Sequence, residues 1–299
     1  MVLDPPERDH PLRAESYVLA VADSAAFGAQ WVVSLDDHFQ AALIQQDPAA
    51  KDTWKKILDA LSFFQRRQEW QSYVASGVLG IVSDFAGDNE FLSTEILNLA
   101  NRRQLQYRVI LKVHCSEKSL EGLKAILYVD QQPPERELKE TLLKFVEAGG
   151  LLITSPSWGK KDGVLLSESF DGNYLLFQLG RGRLAMAKEV PQDPFELAAE
   201  VQLLLSRRND LIRVGNGFAV ICHYSVDPKT GRALAQMVDY SGWVWSEAVS
   251  IWMNGSNDAS RFWNLTSDRP ASLHGTKLSN GVEFYLPRFS VYAAIEVEG

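Results

Sequence analysis

The chain has 299 residues, 46% of them hydrophobic and 23% charged, with 20 glycines and 12 prolines, a globular composition that excludes disorder and fibrous repeats. Thirty Lys and Arg stand against 38 Asp and Glu, a net charge of -8 that repels polyphosphate and excludes nucleic acid as an expected partner. At about 150 residues per domain the length predicts two domains, or two and a fragment.

Residues 15 to 70 read helix, strand, helix. Val18, Val21, Ala22 and Ala25 repeat at helical spacing and Gly28 stops them. The short β-branched run WVVSL at 31–35 predicts a strand, and Trp54, Ile57, Leu58, Leu61 and Phe64 predict one face of a second helix. One and a half α/β units cannot close a sheet alone, because a buried parallel strand needs neighbours. The first periodic element begins almost at once, which raises the expectation of a piece cut from a longer protein.

Residues 73 to 210 repeat the same grammar more fully: strand GVLGIVSDF, helix Phe91 to Arg103, strands YRVILKV and GLKAILYVD, helix Glu135 to Glu147, strand GLLITSP. This alternation predicts right-handed crossovers and a doubly wound, mostly parallel sheet. Pro133-Pro134 opens one helix and Gly149-Gly150 closes it. NYLLFQLGRGRLAMAKEV predicts a hairpin turning at Gly180-Arg181-Gly182, with a last helix at Phe195 to Arg208. From about 211 the helical period vanishes. FAVICHYSV, ALAQMVDYSGW, AVSIWMNG, VEFYLP and YAAIEVE predict an antiparallel β-sandwich, with Val220, Cys222 and Tyr224 on the inward face and Ile221 and His223 on the other.

Gly180-Arg181-Gly182-Arg183-Leu184-Ala185 matches a dinucleotide fingerprint by letters, with Glu200 near the place of a ribose-binding acid. That fingerprint opens a helix after a first strand, whereas this one precedes a short strand, so the hairpin turn is preferred and no cofactor is expected. No G-x-S-x-G elbow, H-E-x-x-H zinc site or phosphate loop occurs in the sequence. Ser155-Pro156-Ser157-Trp158-Gly159 stands where a nucleophile would follow a strand, but Ser155 and Pro156 replace the usual tight glycine turn, so a loop cap or simple turn is the preferred reading. Cys115 and Cys222 cannot make a disulfide framework or a four-cysteine zinc site. His114-Cys115 and Cys222-His223 are strand neighbours pointing to opposite faces, so neither forms a dyad. The five histidines lack metal-ligand spacing, and no metal is expected.

Asp36-Asp37-His38 follows the predicted strand directly, where α/β sheets place functional groups, and one aspartate also fits a helix cap. Adjacent carboxylates diverge and cannot alone be a glycosidase pair. Eight tryptophans occur, with Trp243, Trp245, Trp252 and Trp263 crowded into the sandwich as core rings or sugar-stacking rings. Asn254-Gly255-Ser256 and Asn264-Leu265-Thr266 fit the glycosylation sequon. No apolar run is long enough to span a membrane, and the first residues lack the order of a secretory signal, so a soluble, unexported, cytoplasmic protein is expected.

A strand ending in SLDD with a closing helix, then AILYVD and FVEAGGLLITSPSWG, then a sandwich ending LPRFSVYAAIEVE, resembles the C-terminal half of multidomain glycoside hydrolases of the β-galactosidase type. In that family a catalytic (β/α)8 barrel precedes a domain similar to class I glutamine amidotransferases, often used for subunit assembly, and then a small sandwich. The resemblance implies three parts: a partial β/α barrel end at 1–72, an amidotransferase-like α/β domain at 73–210, and an antiparallel sandwich at 211–299. No cysteine stands at Ser155 to Ser157, so glutaminase activity is not expected. Only about 70 residues precede the second domain, against roughly 200 or more in a barrel, so no catalytic residue is expected. The resemblance implies a non-catalytic or catalytically incomplete chain that forms homo-oligomers through its α/β domain. Asp36, Asp37, His38 and Trp158 are then the candidate ligand contacts, with carbohydrate as the ligand. Two alternatives remain open: a stand-alone α/β hydrolase using Ser157 with Asp84 or His114 nearby, and a carbohydrate-binding module using Trp252 or Trp263.

Overall fold

The computed structural model describes residues 12–30, 34–159, 162–169, 173–242, 246, 248–255 and 257–298. In chain order the elements are α1 (Ala14–Ala26), α2 (Asp37–Ile44), α3 (Pro48–Gln65) and β1 (Val74–Ala75), then β2 (Leu79–Ser83), α4 (Glu90–Arg102), β3 (Tyr107–Leu111), β4 (Ala125–Tyr128), α5 (Arg136–Glu147) and β5 (Leu151–Thr154). β6 (Val164–Ser169), β7 (Tyr174–Leu179), β8 (Gly182–Ala187) and α6 (Pro194–Leu205) complete that run. The last part is β9 (Ile212–Gly215), β10 (Val220–Val226), β11 (Ala233–Asp239), β12 (Ser250–Asn254), β13 (Ala259–Asn264), β14 (Ala271–His274), β15 (Thr276–Leu278), β16 (Gly281–Tyr285) and β17 (Tyr292–Val297).

The chain is mixed α/β and divides into two compact units: residues 1–75 with 212–299, and residues 76–211. The first and third expected parts therefore fold together. Of the strand expected at 31–35, residues 31–33 lie outside the described residues, and Ser34 and Leu35 are not in a strand. What precedes β1 in the described chain is helical, and α1 and α3 cover a sheet of the sandwich.

That sheet has the order β1-β10-β11-β17-β13-β14, and a second has the order β15-β16-β12-β9, both antiparallel. Between them lie Cys222, Met237, Ile251, Phe284, Phe289 and Ile295. Val220 and Cys222 are buried in this core and Tyr224 packs against it, as alternation predicts. The other face of the six-stranded sheet is also buried: Leu234, Val238, Tyr292 and Ala294 pack against Val18, Val21 and Ala22 of α1 and Phe63 and Phe64 of α3. Burial on two faces explains why ALAQMVD and YAAIEV read as continuous apolar runs rather than alternating ones. Gln236, 4% exposed in the middle of this layer, is satisfied by accepting Tyr292 OH at 2.7 Å and donating to the carbonyl of Ala26 at 3.3 Å. On α3, Ile57 and Phe64 are buried and Trp54 and Leu61 half-buried, while Leu58 is exposed and the buried residue beside Phe64 is Phe63. Arg67, 5% exposed, lies over the rings of Phe63 and Trp263 at 3.7 and 4.2 Å and ties the end of this helical layer to the sandwich.

His223, on the strand face away from the inter-sheet core, sits 5.1 Å from the ring of Phe27. Burial disfavours its charged form and lowers its pKa from 6.5 to about 4. The unfolded chain takes up that proton first as pH falls, so stability is lost progressively between pH 6.5 and about 4 and levels off below. His223→Phe should remove about 2 kcal/mol of this acid-induced loss, discounted for partial exposure and read as the difference in urea stability between pH 7 and pH 4.5. Parallel pH profiles for the two proteins would refute the assignment.

The other unit is one seven-stranded sheet of order β3-β2-β4-β5-β8-β7-β6. β3, β2, β4, β5 and β8 are parallel, and β8, β7 and β6 continue as an antiparallel meander. β6 is a strand that sequence reading did not anticipate. Ile96 and Ala100 of α4 and Val201 of α6 pack on one face, and Leu138, Leu142 and Val146 of α5 on the other, giving the doubly wound layering. Among the described residues no helix is long and apolar enough to cross a membrane.

Candidate functional site

The order of the α/β sheet reverses at β2. The chain leaves β2 through α4 to reach β3 on one side, then returns to β4 on the other. In open α/β sheets the crevice beyond the carboxyl ends of strands at such a switch collects functional groups. Here Ser83 and Asp84 end β2, Lys112 follows β3, Asp130 follows β4, and Ser155 and Ser157 follow β5.

These residues form one network. Lys112 Nζ lies 2.6 Å from Asp84 Oδ2 and 2.8 Å from Asp130 Oδ2. Asp130, 2% exposed, accepts Ser83 Oγ at 2.6 Å through its other oxygen. Asp84 accepts Asn89 Nδ2 at 3.0 Å, and Asn89 Oδ1 accepts the backbone N–H of Gln131 at 2.9 Å, which links the loops after β2 and β4. Phe85 takes a left-handed backbone conformation at φ 55° as the chain turns out of β2, and its N–H donates to Ser83 Oγ. A cleft of about 240 Å³ opens beside the network, lined by Asn89, Phe91, Leu92, Asp130, Gln131 and Pro191 among others.

The electrostatics lock the charges. Burial opposes ionisation of Asp84, but the bonds from Lys112 and Asn89 outweigh it and hold the carboxyl below its usual range. Burial likewise opposes the charge on Lys112, and the two aspartates overcome it and hold the ammonium well above the ordinary lysine range. Groups so held do not exchange protons near neutrality, as general acid–base catalysis demands. The arrangement is a clamp across three strand ends.

Ser157 Oγ donates to the backbone carbonyl of Asp130 at 2.5 Å and shares a hydrogen bond with Ser155 Oγ at 2.6 Å. It is thus brought close to the network that contains Asp84, but a carbonyl cannot take its proton, and exposed His114 makes no bond to it. Trp158, expected to touch ligand, is 1% exposed. Its Nε1 donates to Asp162 at 3.2 Å, Lys139 lies over its ring at 4.7 Å and Tyr128 meets its edge, so no face is free for a sugar. Asp36 is the N-cap of α2: one oxygen accepts the N–H of Phe39 at 2.8 Å and the other accepts Tyr17 OH at 2.6 Å. Burial opposes its ionisation, and the Tyr17 and Phe39 bonds prevail and lower its pKa. Asp37 and His38 are exposed in the first turn of α2.

Both thiols have their pKa values raised by burial, against the direction a nucleophile needs, and among the described residues no group of three His, Cys, Asp or Glu side chains is disposed to hold a metal ion. The turn at Gly180-Arg181-Gly182 joins β7 to β8. Trp252 is 7% exposed beside Arg213, and Trp263 packs against Trp70 at 5.9 Å, while Trp243, Trp245 and Ser256 lie outside the described residues. Sequence reading missed Lys112, Asp130, Ser83 and Asn89. The available signal was position: three of them sit at or just after the ends of consecutive predicted parallel strands.

No family model matches the chain, and no curated protein does. Among solved structures, the chain is similar to Gan42B, a GH42 β-galactosidase from G. stearothermophilus, with a TM-score of 0.62 at 12% identity over 96% of this chain and 51% of that one. It is similar to α-L-fucosidase isoenzyme 2 from Paenibacillus thiaminolyticus, with a TM-score of 0.60 at 10% identity over 96% of this chain and 57% of that one. The β-galactosidase from Rahnella sp. R3 gives 0.58 at 11% identity over 99% of this chain and 53% of that one. The chain thus spans about half the length of the structures it matches, and at such identity the likeness is one of fold, a glycoside hydrolase-like fold.

Proposed function

We propose that this chain is a catalytically incomplete, glycoside hydrolase-like protein of carbohydrate metabolism, corresponding to the part of such enzymes that follows the catalytic barrel. In this reading the α/β unit is amidotransferase-like and serves subunit assembly, and the sandwich is accessory. The observation that carries it is the match of 96% of the chain to about half of a β-galactosidase and of a fucosidase. The charges held on Asp84 and Lys112 and the capping role of Asp36 support the absence of acid–base chemistry. Exposed apolar side chains at both edges of the seven-stranded sheet, Val109 and Leu111 on β3 and Val164 and Leu165 on β6, support assembly of copies of this chain.

One preparation tests both halves. Incubated with 4-nitrophenyl β-galactoside and α-fucoside, the purified chain should release no nitrophenol, and light scattering should give a mass of two or more times 33.5 kDa. Turnover abolished by Asp36→Asn or Asp37→Asn would overturn the catalytic half, and a strict monomer would overturn the assembly half.

A further inference from the structure

The sequence holds three Asn-Gly pairs, Asn216-Gly217, Asn254-Gly255 and Asn280-Gly281. Such pairs share one covalent reactivity. The main-chain nitrogen of the glycine can attack the side-chain carbonyl carbon of the asparagine, and a residue without a Cβ leaves that approach unhindered. What separates the three is the state of the attacking nitrogen. Two of the pairs are tied to one another: Asn254, the last residue of β12, stands opposite Gly281, the first of β16, and Gly281 is paired on its other side with Leu278 of β15. Gly255 N–H donates to the carbonyl of Asn280 at 3.4 Å. Asn216-Gly217 lies on the connection from β9 to β10 and is held by no such pairing. Asn216 is exposed and takes a left-handed conformation at φ 58°, which asparagine adopts more readily than most residues. Among the described residues, neither its side-chain amide nor Gly217 N–H has a hydrogen-bond partner, although the carbonyl of Gly217 accepts Val220 N–H at 3.1 Å. The next residue, Phe218, is 99% exposed, so water reaches the connection.

We propose that Asn216 is a site of spontaneous deamidation, and that it reacts ahead of Asn254 and Asn280 in the folded chain. The Gly217 nitrogen loses its proton to solvent base and bonds to Cγ of Asn216. The Cγ–Nδ2 bond breaks, ammonia leaves, and a succinimide ring remains. Water then opens the ring at either carbonyl, giving aspartate or isoaspartate. Water is the only co-reactant, and no electrons are exchanged. The product carries an added negative charge, and its iso form routes the main chain through the former side chain. That change falls between β9 of the four-stranded sheet and β10 of the six-stranded one. A nitrogen already donating to a carbonyl, or held in a strand ladder, must first break that bond before it can attack, so Asn216 should react about tenfold faster than the other two. The inference takes nothing from the carbohydrate reading.

The test is to hold the full chain in mildly alkaline buffer, digest samples with trypsin at intervals, and follow amide-to-acid conversion and isoaspartate by mass spectrometry. Cleavage after Lys and Arg puts the three pairs in different peptides, residues 214–229, 233–261 and 278–288, and Asn216 is the only amide side chain in the first. Synthetic peptides of the three sequences, which lack the strand pairing, should convert at similar rates, since glycine follows asparagine in each. In the folded chain the peptide of residues 214–229 should convert about tenfold faster than conversion at Asn254 or Asn280. Conversion at Asn254 or Asn280 as fast as at Asn216 would overturn the proposal. So would an Asn216 that stays intact in the folded chain after its synthetic peptide has converted.

Discussion

Lys112→Met is expected to destabilise the α/β unit by about 3 kcal/mol, because it leaves the carboxylate of Asp130 buried without its cation. Asp130 is 2% exposed and, among the described residues, would keep only Ser83 as a side-chain partner. Asp84, whose side chain is 40% exposed, can turn to water and adds little to the loss. The double variant Lys112→Met/Asp130→Asn should recover most of the stability, since a neutral amide can stay at that depth at lower cost and can still accept from Ser83. Urea titrations of the single and double variants measure this coupling. A single-variant loss below about 1 kcal/mol would mean that water already carries the charge of Asp130 and that the clamp is incidental.

The second large effect is expected at Gly182. A Cβ there would come within 2.1 Å of the carbonyl oxygen of Val146, at the end of α5, and 2.2 Å of that of Gly150, in the turn that follows, both backbone atoms. Gly180, in the same turn at φ 56°, has its own Cβ position 2.7 Å from the backbone of Glu147. The turn is held in that contact by Arg181 N–H donating to Glu147 O and Arg183 N–H donating to Gly150 O, each at 3.0 Å. Gly182→Ala should therefore cost about 3 kcal/mol, since backbone rather than a flexible side chain has to move. Gly28→Ala makes the contrasting case. Its φ of 68° demands a left-handed residue after α1, but nothing lies near its Cβ position, so a cost of about 1 kcal/mol is expected. Thermal melts of the two variants separate close approach from backbone strain, and equal losses would remove the distinction.

The two glycines also show where a letter pattern misleads. Gly180 and Gly182 satisfy a dinucleotide fingerprint in form, yet the physical demand on them is the approach of a hairpin turn to a helix end. Their position late in the sheet, before a strand and not a helix, was sufficient to choose the turn from the sequence.

Local order determined much of the rest. Apart from β6, the strands and helices of residues 79–205 fall where apolar periodicity and the Gly and Pro signals put them, because each element there follows its own short-range pattern and a parallel sheet demands buried strands. The inward face of β10 followed from alternation alone. Leu58, by contrast, shares the helical face of Ile57 only loosely, and tertiary packing chose Phe63 in its place as the ring set against Tyr292 at 5.9 Å. The helices of residues 14–65 were legible as amphipathic elements, but an amphipathic face does not name the surface that it covers. That α1 and α3 close one side of the sandwich was decided by segments more than 200 residues apart, as in the Gln236 bond to Ala26, and no periodicity carries such a pairing. The same holds for the candidate site. Each of Asp84, Lys112 and Asp130 is visible at or just after a strand end, while their meeting depends on β4 returning to the far side of β2, a choice of strand order that only the folded sheet makes.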